Sequence, residues 1–192
     1  MNNIVMDNII NIFDNNKSIN LTIDNDTTLN IYANSDEGRN IDIIQNNNSK
    51  LIINYVSVTN CDILTNINVK IIGSNNKCVI NYHVLGSSGF NKSKVCVKTL
   101  NNTKNNEIIE NLKGLCDGGN ILIEPILETD TNDVTASHFV TIGSFNKEDL
   151  IYLNSLGLNE ETSKKILKKS FKLNIFSDNI KKVIKEREGN DE

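Results

Sequence analysis

Between Ile19 and about Val140, apolar and polar residues alternate in short runs closed by polar corners, the signature of half-buried strands. The clearest runs are residues 19–23, 28–32, 40–44, 50–55, 68–72, 77–82 and 94–100. Their starts recur roughly every 9–12 residues, the spacing of a sandwich, a barrel or a solenoid. One internal echo bears on the choice. Lys50–Tyr55 and Lys77–Tyr82 share the pattern K-x-x-I-N-Y at an offset of 27 residues. Repetition at that distance marks a solenoid, in which each rung covers the apolar face of the last, although two hairpins of one sandwich would also produce a single echo. In either fold Leu51, Ile53 and Tyr55 share one face, and Cys78, Ile80 and Tyr82 match them.

The pattern changes at residue 146. Asn146 reads as an N-cap with Asp149 at the third helical position, Leu150, Leu153 and Tyr152 as an apolar stripe, and Gly157 as the residue closing the helix. Asn159 caps a second helix with Glu160 and Glu161 in its first turn, Ile166 and Leu167 on an apolar face, and a lysine-rich solvated face. Asp178 begins a third helix carrying Ile180, Val183 and Ile184. Met1 to Asp14 are compatible with a short amphipathic helix through Ile4, Val5, Ile9, Ile10 and Phe13. The chain therefore divides into an N-terminal segment (1–18), a β core (19–145) and a C-terminal helical subdomain (146–192).

Charge and composition narrow the function classes. The net charge is −4 with both signs interspersed, and no basic stripe exists to neutralise phosphates, which argues against nucleic acid. No apolar run reaches the roughly 20 residues of a membrane span, and no secretory signal opens the chain, so a cytoplasmic protein is expected. The abundant asparagines suit tight corners, because Asn tolerates left-handed backbone. Four cysteines, separated by 17, 18 and 20 residues, contain no C-x-x-C and are expected to stay reduced. Cys61, Cys78 and Cys96 read as small apolar core residues, whereas Cys116 lies in a glycine-rich corner and reads as exposed. His83 reads as facing solvent or a groove, without a role. There is no phosphate loop, no nucleophile elbow and no placeable His/Ser/Asp set, so no autonomous enzyme is indicated.

The segment 123–171 carries the most specific pattern. Pro125, Leu127 and Glu128 form a P-x-L-E strand. Ser137, His138, Thr141, Ile142 and Gly143 form a second strand. Asp149, Leu150, Tyr152, Leu153, Ser155, Gly157 and Leu158 follow, and Ser170-Phe171 closes the series. In order and spacing these elements resemble the C-terminal part of the SufB/SufD proteins, scaffold subunits of an iron–sulfur cluster assembly machine.

The resemblance implies a right-handed parallel β-helix core with a small C-terminal helical subdomain, in a shortened, more SufD-like member of the family. It implies a non-catalytic assembly subunit that docks a SufC-like ABC ATPase and pairs with itself or with a SufB-like subunit. The docking segment would include Asp149, Tyr152, Leu153, Gly157 and Phe171. His138 would handle metal at a subunit interface, where iron or a transient iron–sulfur cluster assembles without being stably held. SufB-type subunits carry a glutamate beside this histidine; Phe139 stands there instead. By the same resemblance Cys116 would stand in for the cysteine that those subunits place upstream of the P-x-L-E strand, although the family holds roughly two more rungs in between. The rival reading is a β-helix unrelated to clusters, either structural or ligand-binding.

Overall fold

The computed structural model describes residues 8–13, 17–34 and 38–189. Eleven strands precede three helices among them. The strands are β1 (Asn8–Ile12), β2 (Ser18–Ile23), β3 (Thr27–Asn34), β4 (Asn40–Gln45), β5 (Lys50–Thr59), β6 (Ile63–Ile71), β7 (Lys77–Gly86), β8 (Phe90–Thr99), β9 (Asn106–Cys116), β10 (Asn120–Thr129) and β11 (Val134–Gly143). Odd-numbered strands form one sheet in the order β1-β3-β5-β7-β9-β11, and even-numbered strands form a second in the order β10-β8-β6-β4-β2. Every adjacent pair is parallel. The chain thus winds as a solenoid, adding one strand to each sheet per rung.

The sequence echo is one rung. Lys50 pairs with Lys77, Leu51 with Cys78, Ile53 with Ile80 and Tyr55 with Tyr82. Leu51, Ile53, Tyr55 and their three partners are all buried, with the tyrosine rings 4.9 Å apart. Parallel, in-register stacking puts like residues over like, so the inward columns are built mostly of Ile, Leu, Val and Tyr. The asparagine beside each column also stacks. Asn30 donates to Asn11, Asn54 to Asn30, Asn81 to Asn54 and Asn111 to Asn81, at 2.8–3.0 Å. A second asparagine file turns the corners: Asn48, Asn75 and Asn105 adopt φ of 56°, 59° and 52°, with Asn75 donating to Asn48 and Asn105 to Asn75, both at 3.1 Å. Short polar side chains tolerate this left-handed backbone.

Three helices follow: α1 (Lys147–Ser155), α2 (Glu160–Leu173) and α3 (Asp178–Glu188). Asn146 and Asn159 cap the first two as expected, accepting from the backbone N–H of Glu148 and Thr162. Gly157 has φ of 87°, the left-handed conformation that ends a helix. Leu173, Phe176, Ile180 and Ile184 pack on Tyr32 and Val56, which face outward from the odd-numbered sheet. That sheet therefore has a core on both sides.

Three expectations need correction. Asn8 to Ile12 form a strand and not a helix, because the free edge of β3 supplies parallel partners and the main core receives Ile10 and Ile12; Met1–Asp7 and Asp14 lie outside the described residues. Ile166 is exposed, and the buried line of α2 runs through Ser163 and Leu173. His83 does not face solvent. Its Nδ1–H donates to the Phe171 carbonyl at 2.8 Å and its ring stacks on Phe171 at 4.7 Å, which clamps α2 onto the sheet. Burial pulls its pKa below the usual imidazole value, and the charge of Lys113 adds to this.

Candidate functional site

The solenoid is open at its last rung. β11 ends the odd-numbered sheet and β10 ends the even-numbered one, so both present an unpaired edge among the described residues. β11 repeats the inward and outward alternation of β9, with Ala136 over Ile108, His138 over Glu110, Val140 over Leu112 and Ile142 over Gly114. Among the described residues no further rung covers these side chains. His138, Val140 and Ile142 are therefore exposed although their column is the core column of the rungs below. Phe139, in the position a SufB-like glutamate would occupy, points to the other face and is 62% exposed.

Beneath His138 lies a residue the sequence reading missed. Glu110 is fully buried, and neither carboxylate oxygen has a hydrogen-bond partner. Burial pushes its carboxyl up to about 7. The run Glu107-Ile108-Ile109-Glu110-Asn111-Leu112 lies in register with Lys77 to Tyr82. Of the K-x-x-I-N-Y pattern it keeps only the asparagine, with Glu107, Glu110 and Leu112 in place of Lys, Ile and Tyr, and Asn111, the next rung of the asparagine ladder, was the signal that could have revealed it.

The other candidates separate. Cys116 ends β9, six residues beyond Glu110 and so about 20 Å away along an extended strand, and it does not share a site with His138. It is half-buried. Cys78 is core, as read, and burial, with a smaller push from the Glu110 charge, drives its thiol up to about 12, far from the reactive thiolate. Cys61 and Cys96 are half-buried and not core. Cys96 faces outward because its alternation partners Val95 and Val97 take the inward positions, and it lines a groove of about 450 Å³ with Asp42, Asn68 and Lys98. Pro125 and Leu127 follow the inward columns of Val95 and Val97, while Glu128 points outward and pairs with Lys98 at 2.9 Å. Among the described residues no group of three or more His, Cys, Asp or Glu converges as a metal cage.

In the expected docking segment, Leu153 is half-buried and Tyr152 is 63% exposed, flanked by exposed Ile151 and Leu156. Asp149 lies exposed in the first turn of α1, and Phe171 is engaged with His83. The lysine face of α2 is not simply solvated. Lys165, Lys168, Lys169 and Lys172 line a groove of about 620 Å³ with Lys185 of α3, and Lys168 reaches Asp117 at 2.8 Å.

The described residues form a two-sheet parallel solenoid that carries a helical tail and presents unpaired strand edges at its last rung. Residues 94–171, from β8 to the Phe171 contact, match the SUF system FeS cluster assembly SufBD core domain. No curated protein matches the chain. Over that segment the chain is similar to the SufB/SufD family, which supports a role in iron–sulfur cluster assembly. No described helix is long and apolar enough to cross a membrane.

Proposed function

We propose that this chain is a non-catalytic scaffold subunit of a cytoplasmic SUF-type assembly complex, paired through the open end of its solenoid and docked to a SufC-like ABC ATPase through α1 and the start of α2. The observation that carries this reading is the extent of the family match. It covers both the unpaired β10 and β11 edges and the helix whose Ile151, Tyr152 and Leu156 stand exposed. Unpaired edges of this length, with Val140 and Ile142 uncovered beside them, favour association with another β edge, from a SufB-like subunit or a second copy. Exposed Ile151 and Tyr152 of α1, with Leu156 at its C-cap, supply apolar surface for a partner. ATP-driven motion of the ATPase then opens or closes the interface around His138, where iron is cargo and not a resident cofactor.

Pull-down of the cognate ATPase with the full chain and with Ile151→Asp/Tyr152→Asp tests docking. Recovery should fall sharply in the double variant, and equal recovery would remove α1 from the interface. Sedimentation of the full chain, alone and mixed with a SufB-like subunit, tests pairing; a monomer in both cases at tens of micromolar, a concentration at which standard interfaces are populated, contradicts it.

A further inference from the structure

Glu110 is an anomaly in its own column. Ile53 and Ile80 fill the equivalent positions of the two rungs beneath it, and both are fully buried. A carboxylate placed among aliphatic side chains with neither oxygen hydrogen-bonded is costly, and such groups are ordinarily paired or coordinate a metal. The next residue up the column is His138, at the open end, in register with Glu110 on the same inward face. Successive strands lie about 4.8 Å apart, so the two side chains occupy adjacent places on one ladder, one below the mouth of the solenoid and the other at it.

We propose that Glu110 and His138 together form a divalent-metal site that takes a bare ferrous ion, and not a preformed cluster. This rests on the reading of the open end as the place where iron is handled, and adds the donor set that decides which species is taken there. A carboxylate oxygen and an imidazole nitrogen are the donors of mononuclear ferrous sites, whereas clusters and soft ions are selected by thiolate. No thiolate is on hand. Cys78 lies within the charge influence of Glu110 but is held as a thiol, and Cys116 is distant along β9. Two protein donors leave the remaining positions to water and to groups of whichever subunit covers the open end. The ion enters from the solvent side through exposed His138, and binding neutralises the otherwise unpartnered carboxylate.

The probes are Mn(II), read by the loss of its free-ion EPR signal, Fe(II) in anaerobic equilibrium dialysis, and Co(II), read by absorption, each with the full chain. The expected result is one ion per chain, without a thiolate-to-Co(II) charge-transfer band. Glu110→Gln, nearly isosteric, and His138→Asn, at an exposed position, should each weaken binding by about tenfold or more. Cys116→Ser should bind as the unsubstituted chain does. Binding unchanged in Glu110→Gln would make Glu110 a neutral core acid and overturn the proposal. So would a charge-transfer band that disappears in Cys116→Ser. Recovery of the ATPase by the same variants keeps the two readings apart: retained docking with lost metal supports both, and metal binding without any docking leaves this site standing while the scaffold reading fails.

Discussion

Ile53 and Ile80 occupy the same inward column as Glu110 and His138, two rungs of one ladder against the next two. The lower pair is fully buried, with Leu29 beneath it and Glu110 above it, and the upper pair runs from a buried acid to an exposed imidazole. In a solenoid the environment of a position is inherited from the rung beneath it, so a change of residue type along a column cannot be ascribed to a change of surroundings. The lower rungs show what the column requires for stability. The upper rungs depart from it where the winding stops and a ligand or partner can reach.

The largest contrast to test is at Ile80. Truncation to Ala empties a fully enclosed position between Ile53 and Glu110, and should cost about 2–5 kcal/mol in urea unfolding. A loss below 1 kcal/mol would mean that neighbouring rungs collapse into the space and that column identity matters little.

Glu110→Gln should move stability the other way. The folded chain favours the protonated acid, up to about 7 against an ordinary 4.5. The fold therefore binds more protons than the unfolded chain between these values, and stability falls as pH rises through them. In metal-free buffer at pH 8, Gln should stabilise by on the order of 2–3 kcal/mol, and at pH 4.5 by little. Equal melts at both pH values would show that Glu110 has partners in solution.

These two predictions mark what was legible. The echo K-x-x-I-N-Y marked one rung of 27 residues and, with it, the burial of Leu51, Ile53, Cys78 and Ile80. Capping asparagines and Gly157 marked the ends of α1 and the start of α2 in the chemistry of single residues. His138 was reached only through a family motif, because an exposed histidine on an alternating strand has no periodic signature. Glu110 was hidden because a charged residue in an alternating run reads as outward-facing, and only the register of β9 with β7 reverses that. His83 was misread for the converse reason: it does face outward from the sheet, but α2 returns to cover it, and sequence alternation carries no information on what packs against the second face.

A middle-sized effect is expected at His83, which is held neutral under α2 with Lys113 beside it and the Phe171 carbonyl as its acceptor. Because burial lowers its pKa in the fold, the unfolded or tail-released chain binds the proton more readily. Its contribution is complete above the ordinary imidazole value of about 6.5 and is lost as pH falls below it. Amides of α2 should exchange faster at pH 5.5 than at pH 7.5 after correction for intrinsic rates, and His83→Phe should remove the difference. Truncation to Ala should cost about 1–2 kcal/mol for the lost stack and hydrogen bond. A pH difference that persists in the Phe variant would assign the effect to another group.

The smallest effect separates the two files of asparagine. Asn81 lies within the ladder, donating to Asn54 at 2.8 Å and accepting from Asn111 at 3.0 Å, whereas Asn75 holds a corner at φ of 59°. Asn81→Ala removes one bond made and one received on the partly buried outer face, a net cost of about 1 kcal/mol, because water can replace part of what is lost. Asn75→Gly should cost less, since glycine takes the left-handed backbone freely and gives up only the side-chain bonds to Asn48 and from Asn105. The order Asn81→Ala above Asn75→Gly in paired urea titrations follows if the ladder stabilises through its bonds and the corner file through its backbone. The reverse order would mean that the corner bonds set the register of the rungs, and that the strand asparagines, including the Asn111 that flags the Glu110 rung, are passengers of a register fixed at the turns.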